Sequence, residues 1–312
     1  MSFAKDVKKE IANLKVDDEC LKAELYGFLK LKRELVIRKN QFVCELKTNS
    51  LSIVRRLTSS IKKLYKVNVD VLEKNRVNLD YKNVYVISFS DHTKEILQDL
   101  TIIDEDYNYI EEINSSYDPE SVIRGMFLAK GSVNDPKCSR YHLEIACNTF
   151  IEAAYIVKQL NEYGIIAKII KRKDYQVVYV KKSEQIGDVL KVIGSSSLMF
   201  EFENERIKRD LNNVVNRIIN CDIANSEKTQ KSAMRQLEQI EYIEKTVGFE
   251  SMPIRLMEVS TLRIKNPDAS LQELSDVSLE TIGRYISKSG LTHCFKDLDI
   301  FYQSIKLKET SK

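Results

Sequence analysis

Apolar residues mark out helices from the first turn onward. Phe3, Val7, Ile11 and Leu14 recur at helical spacing among lysines and acids, predicting an amphipathic helix over Ser2–Leu14. Asp17 or Asp18 can cap a second helix carrying Leu21, Leu25, Phe28 and Leu29. Two β-rich runs follow, Glu34–Arg38 and Phe42–Thr48, with Asn40-Gln41 as the turn between them. A helix is predicted from Asn49 to Tyr65, strands at Val67–Leu72 and Val84–Phe89, and a short helix from Thr93 to Leu100. The order then recurs. Asp118-Pro119-Glu120 starts a helix through Val122, Ile123, Met126 and Phe127. Asn134-Asp135-Pro136 turns into a strand over Tyr141–Cys147. A helix over Ile151–Tyr163, strands over Ile165–Ile170 and Gln176–Val180, and a short helix over Ile186–Ile193 complete the second half.

The two halves match element for element. Leu25-Tyr26-Gly27-Phe28-Leu29 answers Ile123-Arg124-Gly125-Met126-Phe127, with the glycines 98 residues apart. So long a period excludes a solenoid and predicts a duplicated α/β unit packed as a pseudo-dimer. Beyond Ser195-Ser196-Ser197 the pattern becomes helical. Phe200–Val247 reads as two helices joined near Asn220-Cys221-Asp222. Pro253 opens a shorter helix, which Asn266-Pro267 stops. Ser270-Leu271-Gln272-Glu273 is a capping box. A connection over Val277–Ile286, with room for an extra helical turn, leads to a last helical stretch from Ile286 to Tyr302. Its apolar stripe is Leu291, Phe295 and Leu298.

Composition narrows the function classes. Apolar residues make up 43% of the 312 and charged residues 30%, which predicts folded cores rather than disorder. No run approaches the roughly 20 apolar residues that span a bilayer. The opening lacks a signal-peptide core. Six cysteines without CxxC spacing predict reduced thiols in the cytoplasm and no zinc. With 49 basic and 46 acidic residues the net charge is +3, so any nucleic-acid footprint must be local.

Three constellations carry candidate chemistry. A helix-interior glycine costs on the order of 1 kcal/mol against alanine, so Gly27 and Gly125 at matching places suggest a close helix-packing seam. The seam also resembles the LAGLIDADG arrangement, whose glycines pack two helices against each other and whose strands form saddle-shaped sheets. In active LAGLIDADG nucleases an acid at each helix end holds metal. In this chain Lys32 and Lys130 stand there, and an ammonium repels the cation that carboxylates would bind. Glu34 and Asp135 lie near but off the motif. The expectation is a nuclease-dead scaffold with no metal and no cofactor.

Secondly, a capped short helix, a connection and a helix with a polar face follow helix-turn-helix order. Lys288, Ser289, Thr292, His293 and Lys296 lie off the apolar stripe and are residue types that contact phosphates and base edges. A solvated face of a helical interaction domain fits the same pattern. Thirdly, Asn220, Asp222 and Asn225 suit either ordinary caps at a helix break or a polar hinge. Cys221 and Asp222 have no histidine near in sequence to make a catalytic dyad, and His92 and His142 lack ligand spacing. Lys171-Arg172-Lys173 reads as a hairpin turn or a local phosphate patch. Walker A, GxGxxG, GxSxG and HExxH motifs are absent.

The chain resembles the WhiA family of sporulation and cell-division regulators of Gram-positive bacteria. The resemblance runs through Arg124-Gly125-Met126-Phe127-Leu128-Ala129-Lys130-Gly131-Ser132-Val133 and Tyr141-His142-Leu143-Glu144-Ile145. It continues in Asn220-Cys221-Asp222-Ile223-Ala224-Asn225, Asn266-Pro267-Asp268-Ala269-Ser270-Leu271-Gln272-Glu273-Leu274 and Ile286-Ser287-Lys288-Ser289-Gly290-Leu291-Thr292-His293. It implies an α+β fold: a degenerate LAGLIDADG-like αββαββα pseudo-dimer, then an all-α linker and a helix-turn-helix domain. The expected bounds are 1–198 (halves about 17–100 and 117–194), 199–250 and 251–312. The resemblance implies binding of double-stranded DNA and gene regulation without nuclease activity, linked to sporulation, cell division and chromosome segregation. The expected chain is cytoplasmic, nucleoid-associated and monomeric, with room for protein partners on the LAGLIDADG-like domain. A cell-division scaffold with secondary DNA contact is the alternative, and an active LAGLIDADG nuclease a further one. The expected DNA-binding residues are Ser270, Ser287, Lys288, Ser289, Thr292, His293 and Lys296. Two departures stand out near them. Cys294 replaces a basic residue of the family, which removes an expected phosphate contact, and Leu279–Tyr285 differs from the family's Pro-containing connection. Lys130 also stands where the family has a small residue.

Overall fold

The computed structural model describes residues 2–38, 41–74, 83–138 and 140–310. The chain divides into two compact units, Met1–Asp210 and Leu211–Lys312. In the first, α1 (Phe3–Ala12) precedes α2 (Asp18–Leu31), β1 (Glu34–Arg38), β2 (Gln41–Thr48), α3 (Leu51–Tyr65), β3 (Asp70–Lys74), β4 (Val84–Phe89) and α4 (Thr93–Asp99). The second half repeats the order with α5 (Pro119–Lys130), β5 (Gly131–Val133), β6 (Leu143–Cys147), α6 (Phe150–Glu162), β7 (Lys168–Arg172), β8 (Tyr175–Val180) and α7 (Ser183–Val192). Each half is αββαββα. The strands form two antiparallel sheets, ordered β1-β2-β4-β3 and β5-β6-β8-β7. Leu46 opposes Ile87 in one sheet and Ile145 opposes Val178 in the other; all four are buried.

Local chemistry places the helix starts. Asp17 accepts from the Cys20 amide at 2.7 Å, and Asp118 from the Ser121 amide at 2.9 Å. Thr149 and Glu152 close a capping box on α6. Helices α2 and α5 then pack along Gly27 and Gly125. A β-carbon on Gly27 would fall 2.1 Å from the Val122 carbonyl oxygen, and one on Gly125 2.0 Å from that of Glu24. Only hydrogen atoms fit between the two backbones. Beside the seam, buried Glu24 of α2 takes the Arg56 guanidinium of α3 at 2.7 and 2.9 Å, with Arg124 of α5 at 3.8 Å.

Several strand bounds differ from the sequence reading. Strand β7 starts at Lys168, not Ile165. The Ile165 amide donates to the Leu160 carbonyl at 3.0 Å and closes α6, so it is spent before the sheet begins. Strand β3 starts at Asp70 rather than Val67, and β5 has no counterpart in the predicted elements. Lys173, with φ 47°, turns the chain between β7 and β8, and Arg172 pairs with Glu144 at 3.4 Å. Of the predicted Asn40-Gln41 turn, Asn40 lies outside the described residues.

Helix α8 runs unbroken over Ser196–Val247. This corrects the predicted break at Asn220-Cys221-Asp222. No Gly or Pro occurs between Gly194 and Gly248 to interrupt the helix, and Asn and Asp in an exposed interior each cost less than about 1 kcal/mol. Asn220, Asp222 and Asn225 are exposed on its surface, and Asn225 reaches Cys221 Sγ at 3.6 Å within the same helix. The helix start is held by Glu10 of α1, which accepts from Ser195 Oγ at 2.5 Å and the Ser197 amide at 2.7 Å.

In the second unit, a 3-10 turn (Phe249–Ser251) precedes α9 (Ile254–Lys265), α10 (Leu271–Ile282) and α11 (Lys288–Thr310). Their core joins Ile240 and Ile243 of α8 to Leu256, Leu262, Leu274, Leu291, Phe295 and Leu298. The predicted long connection from Val277 is mostly helix: α10 continues to Ile282 and ends at Gly283, whose φ of 72° is the left-handed cap. Among the described residues no helix is long and apolar enough to cross a membrane.

Candidate nucleic-acid interface

The connection between α10 and α11 is clamped by two serines on the buried side of α10. Ser275 Oγ donates to the Ile286 carbonyl at 2.8 Å, and the Ile286 amide donates to Ser278 Oγ at 3.0 Å. Ser278 Oγ in turn donates to the Ser275 carbonyl at 2.7 Å. Both hydroxyls are buried, so the residue before the N-cap of α11 has its backbone satisfied without water. Ser278→Ala leaves the Ile286 amide without a partner. The expected loss is about 1–3 kcal/mol, read as a lower denaturant midpoint; an unchanged midpoint would show that water replaces the hydroxyl.

The turn delivers Ser287 as the N-cap of α11, its Oγ accepting from the Gly290 amide at 3.2 Å. Lys288, Ser289, His293 and Lys296 are exposed, and Thr292 is half-buried. At 100° per residue these five positions fall within an arc of about 140°, beside the stripe of buried Leu291, Phe295 and Leu298. The Thr292 hydroxyl donates to the Lys288 carbonyl at 2.9 Å, so its proton is already used within the helix. Ser270 sits elsewhere, at the start of α10. Its Oγ accepts from the Glu273 amide at 3.2 Å and its own amide donates to Glu273 Oε2 at 2.7 Å. The resemblance reads Cys294 as a lost phosphate contact, and the structure corrects this. Cys294 is buried and takes the Arg255 Nε at 3.1 Å, so a basic side chain there would point into the core.

Arg263 is the residue that the sequence reading missed. It is among the most buried large side chains, inside α9. Its guanidinium donates to Gln236 Oε1 at 2.9 Å and to the carbonyls of Asn266, Pro267 and Ala269 at 3.2, 3.3 and 2.6 Å. It stands 5.5 Å from the Phe295 ring centre of α11. One side chain thus shapes the turn into α10 and touches the helix beyond it. Ser275 and Ser278 did leave a signal: polar residues on the apolar face of α10, beside Leu274.

In the first unit, α2 ends with Lys32 as its C-cap and α5 ends at Lys130. Both line a cavity of about 650 Å³. Burial, then the charge of Lys130, holds the Lys32 ammonium below the usual lysine range; burial does the same for Lys130. Among the described residues no group of three or more His, Cys, Asp or Glu is placed to hold a metal ion.

Three family models match in chain order. The WhiA N-terminal LAGLIDADG-like domain matches residues 18–103, the WhiA LAGLIDADG-like domain residues 119–212, and the WhiA C-terminal HTH domain residues 215–302. A relative from Oceanobacillus iheyensis, named probable cell division protein WhiA, is 37% identical over 99% of both chains. The chain belongs to the WhiA family. A Bacillus subtilis relative of the same name is 36% identical over 99% of both chains. Full-length DUF199/WhiA from Thermatoga maritima superimposes with a TM-score of 0.60 at 25% identity, covering 97% of this chain and 99% of that one. This WhiA-family chain is therefore a duplicated, degenerate LAGLIDADG-like α+β fold followed by a helical region and a helix-turn-helix domain.

Proposed function

We propose that this WhiA-family chain is a transcriptional regulator that binds double-stranded DNA through α11 and does not cut it. The single observation that carries the reading is the exposed polar face of α11, presented by a turn that Ser275 and Ser278 clamp at Ile286. The Ser287-capped N-terminus adds a partial positive charge where Lys288 and Ser289 stand, suited to a phosphate. His293 and Thr292 take the base-edge side, with Thr292 offering its methyl and lone pairs; Lys296 takes the backbone. Ser270 holds α10 in register. On this reading residues 1–198 form the scaffold, 199–250 the linker and 251–312 the DNA-binding domain. The protein acts as a monomer at the nucleoid in the cytoplasm. The relatives' name supports a role in cell division, and sporulation and chromosome segregation are the processes it would serve. Lysines at both helix ends support a chain without nuclease chemistry, since carboxylate oxygens are what a catalytic Mg²⁺ requires.

The test is duplex titration of the full chain over a range of salt. Lys288→Ala weakens binding alike on target and random DNA and lowers the salt slope by about 0.9, one phosphate contact. His293→Ala instead changes the ratio between sequences. Equal losses in both variants on both DNAs would remove the division of roles, and unchanged affinity in both would remove α11 from the interface.

A further inference from the structure

Helix α8 gives one face to the core of each compact unit and leaves another uncovered. Phe202 is buried in the core of the N-terminal unit, and Ile240 and Ile243 in that of the C-terminal unit. Along the first half of the helix Phe200, Ile207, Leu211, Val214, Ile218 and Cys221 are exposed, Leu211 by 61% and Ile218 by 56%. Asn204 and Asn225, also exposed, fill the remaining places of the same alternation of four and three residues. At 100° per residue all eight fall within an arc of about 100°, the narrow seam of a coiled coil rather than the broader stripe of a helix on a globular core. Such a 3.5-residue repeat is covered by a second helix wound along it. We propose that this second helix is the α8 of another copy of the chain, laid parallel and in register.

Charge fixes the direction of the pair. In a parallel coiled coil the residues flanking the seam meet those five places further along the partner helix. Glu203 then meets Lys208 of the second copy, and Arg217 meets its Asp222, each pair occurring twice by symmetry. Arg217 and Asp222 are exposed and have no ion pair among the described residues. Glu203 and Lys208 reach Arg206 and Glu205 of their own helix at 2.7 and 2.9 Å, surface contacts of the weak class. The third flanking pair, Asp210 with Val215, carries a single charge. An antiparallel pair centred on the same stripe sets Asp210 against Arg217 and Glu201 against Asp222 instead, one attraction and one repulsion. In the parallel register Asn204 and Asn225 each face their own counterpart, and an asparagine in the seam specifies register at a cost in stability. Covering the stripe in both copies removes on the order of 1,000 Å² of surface, the size at which specific interfaces begin. The pair is therefore weak. The monomer of the reading above is its dilute form, and copies join where they are concentrated. The pairing rests on the stripe and stands whether or not α11 binds DNA. On that reading it brings two α11 helices into one complex, as two half-sites require.

The test is sedimentation equilibrium of the full chain without DNA, over about 1–100 µM, the range expected of an interface of this size. Beside it runs L211E/I218E, which sets like charges along the seam. Both positions are exposed, so the single chain keeps its fold. The natural chain passes from one copy to two with concentration, and the variant's dissociation constant is about tenfold or more higher. Cys221 reads the direction of the pair without any change to the seam. In the parallel pair it faces Cys221 of the second copy, and in the antiparallel pair Asn204. Diamide, which oxidises two thiols to a disulfide, links the parallel pair covalently. Cys221→Ser removes the link, and substitution of the other exposed cysteine, Cys138→Ser, keeps it. A chain that stays single throughout the range, or a dimer that L211E/I218E leaves intact, would overturn the proposal. A dimer that the variant weakens but diamide does not link through Cys221 would overturn the parallel register.

Discussion

Replacing Gly125 with valine lowers the stability of the N-terminal unit by about 3 kcal/mol or more, at or beyond the upper end of ordinary overpacking. The first added carbon alone would sit 2.0 Å from the Glu24 carbonyl oxygen and 2.9 Å from the Phe28 amide nitrogen. Both are backbone atoms of α2 and cannot swing aside as a side-chain end would. The helices must separate, which unpacks buried Val122, Phe127, Tyr26 and Phe28 together and pulls Arg124 from Glu24. Valine or alanine gains something in helix propensity, but for alanine that is only about 1 kcal/mol and does not offset the clash. Gly27→Val meets the Val122 carbonyl and behaves alike. Gly164→Ala is the contrast: nothing lies within 4 Å of its added carbon, and the cost is only the strain of φ 74°, about 1–2 kcal/mol. Denaturant unfolding followed by circular dichroism checks this. Midpoints for the two seam variants equal to that of Gly164→Ala would show that the seam tolerates separation.

Arg263→Met lowers the stability of the C-terminal unit by about 3 kcal/mol and weakens duplex binding with it. Methionine fills similar volume, so the loss is polar. The carbonyls of Asn266, Pro267 and Ala269, and the Gln236 amide oxygen, lose their shared donor. Those carbonyls form the chain between α9 and α10, so α10 loses its fixed start and with it the turn that presents α11. Arg263→Lys does not restore the set, because a single ammonium cannot reproduce the planar fork of the guanidinium. The measurement is the denaturant midpoint beside duplex affinity at one salt concentration. A midpoint within about 0.5 kcal/mol of the natural chain, the range of an ordinary surface change, would show that water serves these carbonyls.

The duplicated architecture was legible in the sequence because its signals are local. Gly27 and Gly125 announce a close approach by lacking a side chain, and Asp17, Asp118 and Ser270 announce helix starts by where their oxygens reach. Matching patterns in the two halves carried the rest, and the resemblance supplied the order of domains. The α11 face was also readable, since residues off an apolar stripe must face away from it. The strand starts at Asp70 and Lys168 were not, because buried Val67 and Ile165 look like strand residues, while the Ile165 amide serves the turn that closes α6. Asn220 and Asp222 misled in the opposite way. Side chains that cap helices are equally at home on an exposed helix surface, and only the continuous backbone of α8 distinguishes the two.

By itself, then, the sequence determined the repeat, the capped helix starts, the packing glycines and the polar face of the last helix. Each depends on residues within a few positions of one another, or on one period repeated. The tertiary structure alone decided that Cys294 faces the core, that Arg263 holds the turn into α10, and that Lys32 and Lys130 line one cavity. Those outcomes turn on partners brought together from distant parts of the chain, and pattern along a sequence does not encode which buried polar group will meet which.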